Sequence, residues 1–151
     1  MEAAFLATTY RVETPERFFD LRIGLVSTEF DEFLRRQWLA LGSPATAAAP
    51  ASPAIGWGIV TAHNPGERLA DHQNALRQRR LRARIAASPC AFFAASNIAD
   101  GGGDHPAGWP VEASYLVFPA DEQQVAALGR EFGQLAVVFG ETGSAPRLLW
   151  V

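Results

Sequence analysis

The chain has 151 residues, a length that fits one domain and lets a globule bury roughly 70% of its unfolded surface. A hydrophobic share of 48%, with ten Phe and four Trp, excludes a disordered chain. The formal charge of −3 offers no global attraction for nucleic acid or anionic lipid, and the single cysteine, Cys90, excludes an internal disulfide and any metal site built on two thiolates.

The opening MEAAFLATTYRVE has no basic leader region and too short an apolar run to span a bilayer, so a cytoplasmic protein without a membrane partner is expected. Ala4 to Val12 reads as a first strand, and after the ETPE turn Arg17 to Ile23 reads as a second. Ser27 or Thr28 caps a helix whose Phe30, Phe33 or Leu34, Trp38 and Leu41 recur at helical spacing until Gly42 and Pro44 end it. Residues 43–53, rich in Ala, Pro and Ser, read as a flexible insert inside one domain, because the piece before them is too small to fold alone. Ile55 to Ala62 reads as a buried strand in which Gly56 and Gly58 leave gaps beside Trp57.

Next, Asn64 is placed to cap a helix with Pro65 at its first position and Glu67 at its third; Gly66 argues against that start and for a later one at Asp71. Helical propensity runs from about Leu69 to Ala87, where Ser88-Pro89 stops it. Cys90 to Ala95 reads as a strand, 99–111 as a Gly/Pro loop, and Ala113 to Phe118 as a further strand. Asp121 with Gln124 forms a capping box for a helix carrying Val125, Leu128 and Phe132, with Gly133 as its stop. Leu135 to Phe139 and Arg147 to Val151 read as a closing hairpin. The expected fold is therefore a single α+β domain, a mixed β-sheet of six or seven strands with about three helices packed on it.

Several segments together resemble a family of uncharacterised bacterial proteins, the domain of unknown function numbered 3293. They are TTYRV (8–12), FFDLRIG (18–24), WGIVTAHNPGERL (57–69), the spaced Asn74, Arg77 and Leu81, WPVEASYLVF (109–118), LGREFGQLAVVFG (128–140) and PRLLWV (146–151). The family's Thr-Ala-x-Asn-Pro turn is matched by Thr61, Ala62, Asn64 and Pro65, and its Glu-x-Ser by Glu112 and Ser114. Its Gln-Asn-Ala is matched only by Gln134 and Ala136: Leu135 replaces the Asn, and His63 stands where the family has an aromatic. The resemblance implies no activity.

Six residues are candidates for a site. Asn64 sits where a strand end feeds a helix start, a place for turn chemistry or for ligand contact, although Glu67 would repel an anion there. Glu112 opens a strand beside an apolar run and suits a general base, a metal ligand or an arginine's ion-pair partner. Ser114 lies on the same side of that strand but lacks a nucleophile's motif. Gln134 begins a strand after a helix-ending Gly, and Asn74 heads the apolar stripe through Leu81. Arg77, nearest that stripe in the arginine-rich segment 77–84, is expected to turn inward towards Glu112, while Arg80 and Arg84 form a solvated face.

The scattered donors His63, Glu67, Asp71, His72, Asp100, Asp104 and His105 match no metal register, and no phosphate-loop or dinucleotide fingerprint is present, so neither metal nor cofactor is expected. The leading reading is a module that binds a small molecule or a protein. Nucleic acid is disfavoured by net charge, and the sequence is silent on oligomeric state. The competing reading is an enzyme of the hydrolase or nuclease class using Glu112 with Asn64, Asn74 or Gln134, which requires those residues to meet in one cleft.

Overall fold

The computed structural model describes residues 2–42, 54–100 and 110–151. The expected insert 43–53 and the residues Asp104, His105 and Trp109 lie outside them. In chain order the elements are α1 (Glu2–Leu6), β1 (Thr8–Glu13), β2 (Phe18–Leu21), α2 (Thr28–Ala40), β3 (Gly56–Val60), α3 (Asp71–Ala86), β4 (Ala91–Ala99), β5 (Glu112–Phe118), α4 (Glu122–Glu131), β6 (Ala136–Glu141) and β7 (Arg147–Trp150).

The seven strands form one sheet in the order β2-β1-β4-β5-β3-β6-β7, and every pairing among the described residues is antiparallel. This corrects the expected mixed sheet. The crossover through α3 carries the chain from β3 to β4, and that through α4 from β5 to β6, but each skips one position. An oppositely directed strand fills the gap: β5 lies between β3 and β4, and β3 between β5 and β6. Strand–helix–strand order in a sequence thus gives parallel directions without parallel neighbours.

Two links tie segments beside opposite edges of this sheet, so the sheet is rolled. The Gly24 amide, just beyond β2, donates to the Pro146 carbonyl, just before β7, at 2.8 Å. Phe5 of α1 meets Trp150 of β7 edge to face, with ring centroids 5.9 Å apart. Period-2 alternation then sorts side chains to two faces. Tyr10, Val12, Ile59, Ala95, Leu116 and Val138 point inward, where Phe30, Phe33 and Leu34 of α2 pack on them together with Phe19 and Trp57. Val60, Val117, Val137 and Phe139 point outward beneath Leu81 and Ile85 of α3 and Val125 of α4. Both faces of the central strands are buried, which explains apolar runs such as LVF and AVVF that do not alternate with polar residues.

Local chemistry accounts for most element ends. Ser27 caps α2, its hydroxyl accepting from the Phe30 amide at 3.3 Å, and Asp121 with Gln124 forms the expected capping box of α4. Two expectations are corrected, and the choice left open for the start of α3 is settled. Ala4 to Leu6 belongs to a helix, because the alanine-rich EAAFL favours helix and β-branched residues begin only at Thr8. α3 starts at Asp71 with Ala70 as its cap, not at Asn64, since Asn64 (φ 47°) and Gly66 (φ 72°) both adopt left-handed backbone. Finally, Gly56 and Gly58 leave no gaps: a methyl group on Gly58 would collide with Val125, and one on Gly56 with the Ala120 carbonyl, so these glycines let α4 and its entry segment lie directly on β3.

Candidate functional site

Helix α2 fills only one end of the inner face. At the other end the roll stays open as a cavity of about 470 Å³. Its floor is the apolar inner core, reached at Ile59 and Val138, and Ala4 and Phe5 of α1 close one side. The upper wall is polar. Tyr10 of β1, Asn97 of β4 and Glu112 of β5 form one lateral row, because Tyr10 pairs with Asn97 and Asn97 pairs with Glu112 across the ladders. Thr61, His63, Asn64 and Gln134 close the row from the β3 side.

The carboxylate of Glu112 is held by a polar chain running back to α3. Asn64 Nδ2 donates to Glu112 Oε1 at 2.5 Å, and Asn64 Oδ1 accepts from the Leu69 amide at 2.9 Å and from Asn74 Nδ2 at 2.8 Å. Asn74 Oδ1 in turn accepts from the Asn64 amide at 2.9 Å. The two asparagines therefore share a reciprocal pair of bonds that fixes Asn64 in its left-handed conformation, a backbone region that costs a non-glycine residue about 1–2 kcal/mol. Gln134 Nε2 donates to the His63 carbonyl at 3.0 Å, which leaves its carbonyl oxygen as an acceptor on the cavity wall.

Burial depresses the His63 imidazole below its ordinary pKa, against the opposing pull of Glu112 and Asp71, so the ring is neutral near pH 7. Burial, reinforced by the Glu112 charge, raises the Tyr10 phenol above its usual range and keeps it protonated. The site thus presents one carboxylate among neutral donors and acceptors. At the exposed rim, Glu67 and Arg68 contribute opposite charges.

Of the six residues singled out from sequence, Glu112, Asn64 and Gln134 line this cavity. Asn74 lies behind them, buried, with its carboxamide spent on Asn64 and on the Leu69 carbonyl. Ser114 is buried too, and its hydroxyl donates to Asn97 Oδ1 at 2.8 Å, so it orients Asn97 without lining the cavity. Arg77 turns inward as expected but not to Glu112: its Nε donates to the Ala62 carbonyl at 2.8 Å and its Nη2 to the Phe132 carbonyl, because α3 directs it at the end of β3 and the C-terminus of α4. Arg80 is exposed, and Arg84 is a surface partner of Glu131 at 3.2 Å.

Sequence reasoning missed Asn97 and Tyr10. Ending β4 at Ala95 hid the first, although Phe93, Ala95, Asn97 and Ala99 keep the inward period and a lone amide on that face was a readable signal. Tyr10 could not be told from a core aromatic without the cavity. Among the described residues no group of three or more His, Cys, Asp or Glu side chains is placed to hold a metal, and no helix is long and apolar enough to cross a membrane.

No curated protein and no solved structure matches the chain. A family model described as protein of unknown function (DUF3293) matches residues 60–137, a little over half of the chain, running from the end of β3 into β6 and including Asn64, Asn74, Asn97, Glu112 and Gln134. The chain therefore belongs to the DUF3293 family.

Proposed function

We propose that the open end of the rolled sheet is the binding site for a small amphipathic organic molecule, and that this protein is a cytoplasmic ligand-binding module. The observation that carries the reading is the division of the cavity wall: an apolar floor at Ile59 and Val138 lies under a convergent polar row of Tyr10, Asn97, Glu112 and Asn64. Few oriented polar groups over apolar surface, at about 470 Å³, is the pattern of small-molecule sites. The Glu112 carboxylate inside the cavity makes phosphate-rich ligands, nucleic acid included, poor occupants.

A fragment library screened by thermal shift tests this. Fragments with an apolar body and one polar end should raise the melting temperature, by an amount corresponding to about 2.7 kcal/mol at a hundred times Kd. Ala136→Phe, which places a ring in the cavity from β6, should abolish the shift while the variant still melts cooperatively. Stabilisation that is equal in this variant, or absent throughout, would remove the reading.

A second reading, catalysis with Glu112 as general base, is favoured by the convergence of Glu112, Asn64 and Gln134 in one cleft and by the bonds that fix the carboxylate. It predicts turnover of a hydrolysable ester or amide that Glu112→Gln abolishes while binding of the same compound persists.

A further inference from the structure

We infer that the molecule accepted by this cavity carries a protonated amine on an apolar body, with the ammonium group seated on Glu112. This rests on the cavity reading above and assigns its ligand class.

Three features single out a cation. The first is that Glu112 has no counter-ion among the described residues. Among the described residues its Oε1 accepts one hydrogen bond, from the neutral amide of Asn64, and its Oε2 accepts none. Arg77, the cation best placed by sequence to neutralise it, is committed to the carbonyls of Ala62 and Phe132. A partly buried carboxylate beside apolar surface gains most from a partner that is both charged and a hydrogen-bond donor.

Second, the ionisable groups facing Glu112 from the neighbouring elements are both neutral. Tyr10 on β1 stays a phenol and His63 beyond β3 stays an uncharged imidazole. Neither one competes with a ligand cation for the carboxylate. Third, the wall has acceptors to spare: an ammonium carries three donors and no acceptor, and Glu112 Oε2 and Gln134 Oε1 are both without a donor partner among the described residues. Phe5 and Tyr10 bring aromatic rings to the same wall, which suits a cation and an apolar chain alike. An anionic ligand would meet the Glu112 charge, offset inside the cavity only by neutral donors such as Asn97 Nδ2 and the ring N–H of His63, and at the rim by Arg68.

The test is a matched series that differs only in the head group: phenethylamine, which is protonated at neutral pH, 2-phenylethanol and 3-phenylpropanoate. Binding is measured by isothermal titration calorimetry on the wild-type chain and on Glu112→Gln. The expected order is ammonium over alcohol by about tenfold, with the carboxylate weakest. In Glu112→Gln the ammonium should lose that advantage and the alcohol should bind as before. If the three compounds bind the wild type equally, or the carboxylate binds best, the cavity reading survives and the cation assignment falls. If none binds, and the fragment screen with its Ala136→Phe control also fails, both fall together. The wild-type rank order decides the matter even if Glu112→Gln does not fold.

Discussion

Arg77→Gln should destabilise the protein although Arg77 lies in a segment of five arginines, and the size of the effect follows from what its guanidinium holds. Nε and Nη2 bridge the Ala62 carbonyl at the end of β3 and the Phe132 carbonyl at the C-cap of α4. Hydrogen bonds from a charged group are worth about 1.5–3 kcal/mol each; the Ala62 carbonyl would lose its side-chain donor, and the Phe132 carbonyl would keep only a long bond from Gln134 Nε2 at 3.5 Å. Arg77 is partly exposed and the shorter Gln can recover one bond, so the expected loss is about 2–3 kcal/mol. For a chain of this size that lowers the melting temperature by roughly 4–12 °C. Urea melts of Arg77→Gln and Arg80→Gln give the comparison; Arg80 is exposed, and its variant should stay within about 0.5 kcal/mol of the parent. A double-mutant cycle with Glu112→Gln separates this account from an ion pair with Glu112: bonds to carbonyls predict additivity within about 0.5 kcal/mol, whereas an ion pair predicts coupling well beyond it. A neutral Arg77→Gln, or strong coupling, would refute the reasoning.

Trp57→Ala should cost about 3–5 kcal/mol in a denaturant melt, because the indole is fully buried against Phe30 and over Gly140; a loss under 1 kcal/mol would show that the inner face repacks freely. Asn64→Ala and Asn64→Gly both remove the bonds to Glu112, Asn74 and Leu69, but only Gly tolerates φ 47°, so the Ala variant should be the less stable by about 1 kcal/mol; equal melts would deny the backbone a part in holding the site. The folded pKa of His63 lies below its unfolded value, so the unfolded chain binds more protons as pH falls. The stability tied to neutral His63 is therefore complete above the unfolded pKa of about 6.5 and is lost as pH falls towards the folded value. An NMR titration of the ring should give a midpoint below 6.5, and His63→Gln should flatten the pH slope of stability in that window; a midpoint at or above 6.5 would contradict the burial of the ring.

Local sequence determined the elements whose signals are short-range. The Ser27 cap, the Asp121 and Gln124 box, the stop at Gly133 and the closing hairpin need only neighbouring residues to form, and they stand where the chain's own chemistry puts them. Sequence also singled out Asn64, Glu112 and Gln134, because each is a polar residue at the junction of an apolar strand with a turn. What it could not fix was the placement of β3 between β5 and β6. Strand order depends on which faces pack, here α3 and α4 against Val60, Val117 and Val137, and not on any local pattern. That placement and the roll that brings Gly24 to Pro146 gather Tyr10, Asn97, Glu112 and Asn64 from distant parts of the chain onto one wall. The choice of partner for Arg77 was decided at the same level. A guanidinium turned inward from α3 reaches whatever acceptors the tertiary fold sets before it, and the packing of β3 and α4 set two carbonyls there in place of a carboxylate.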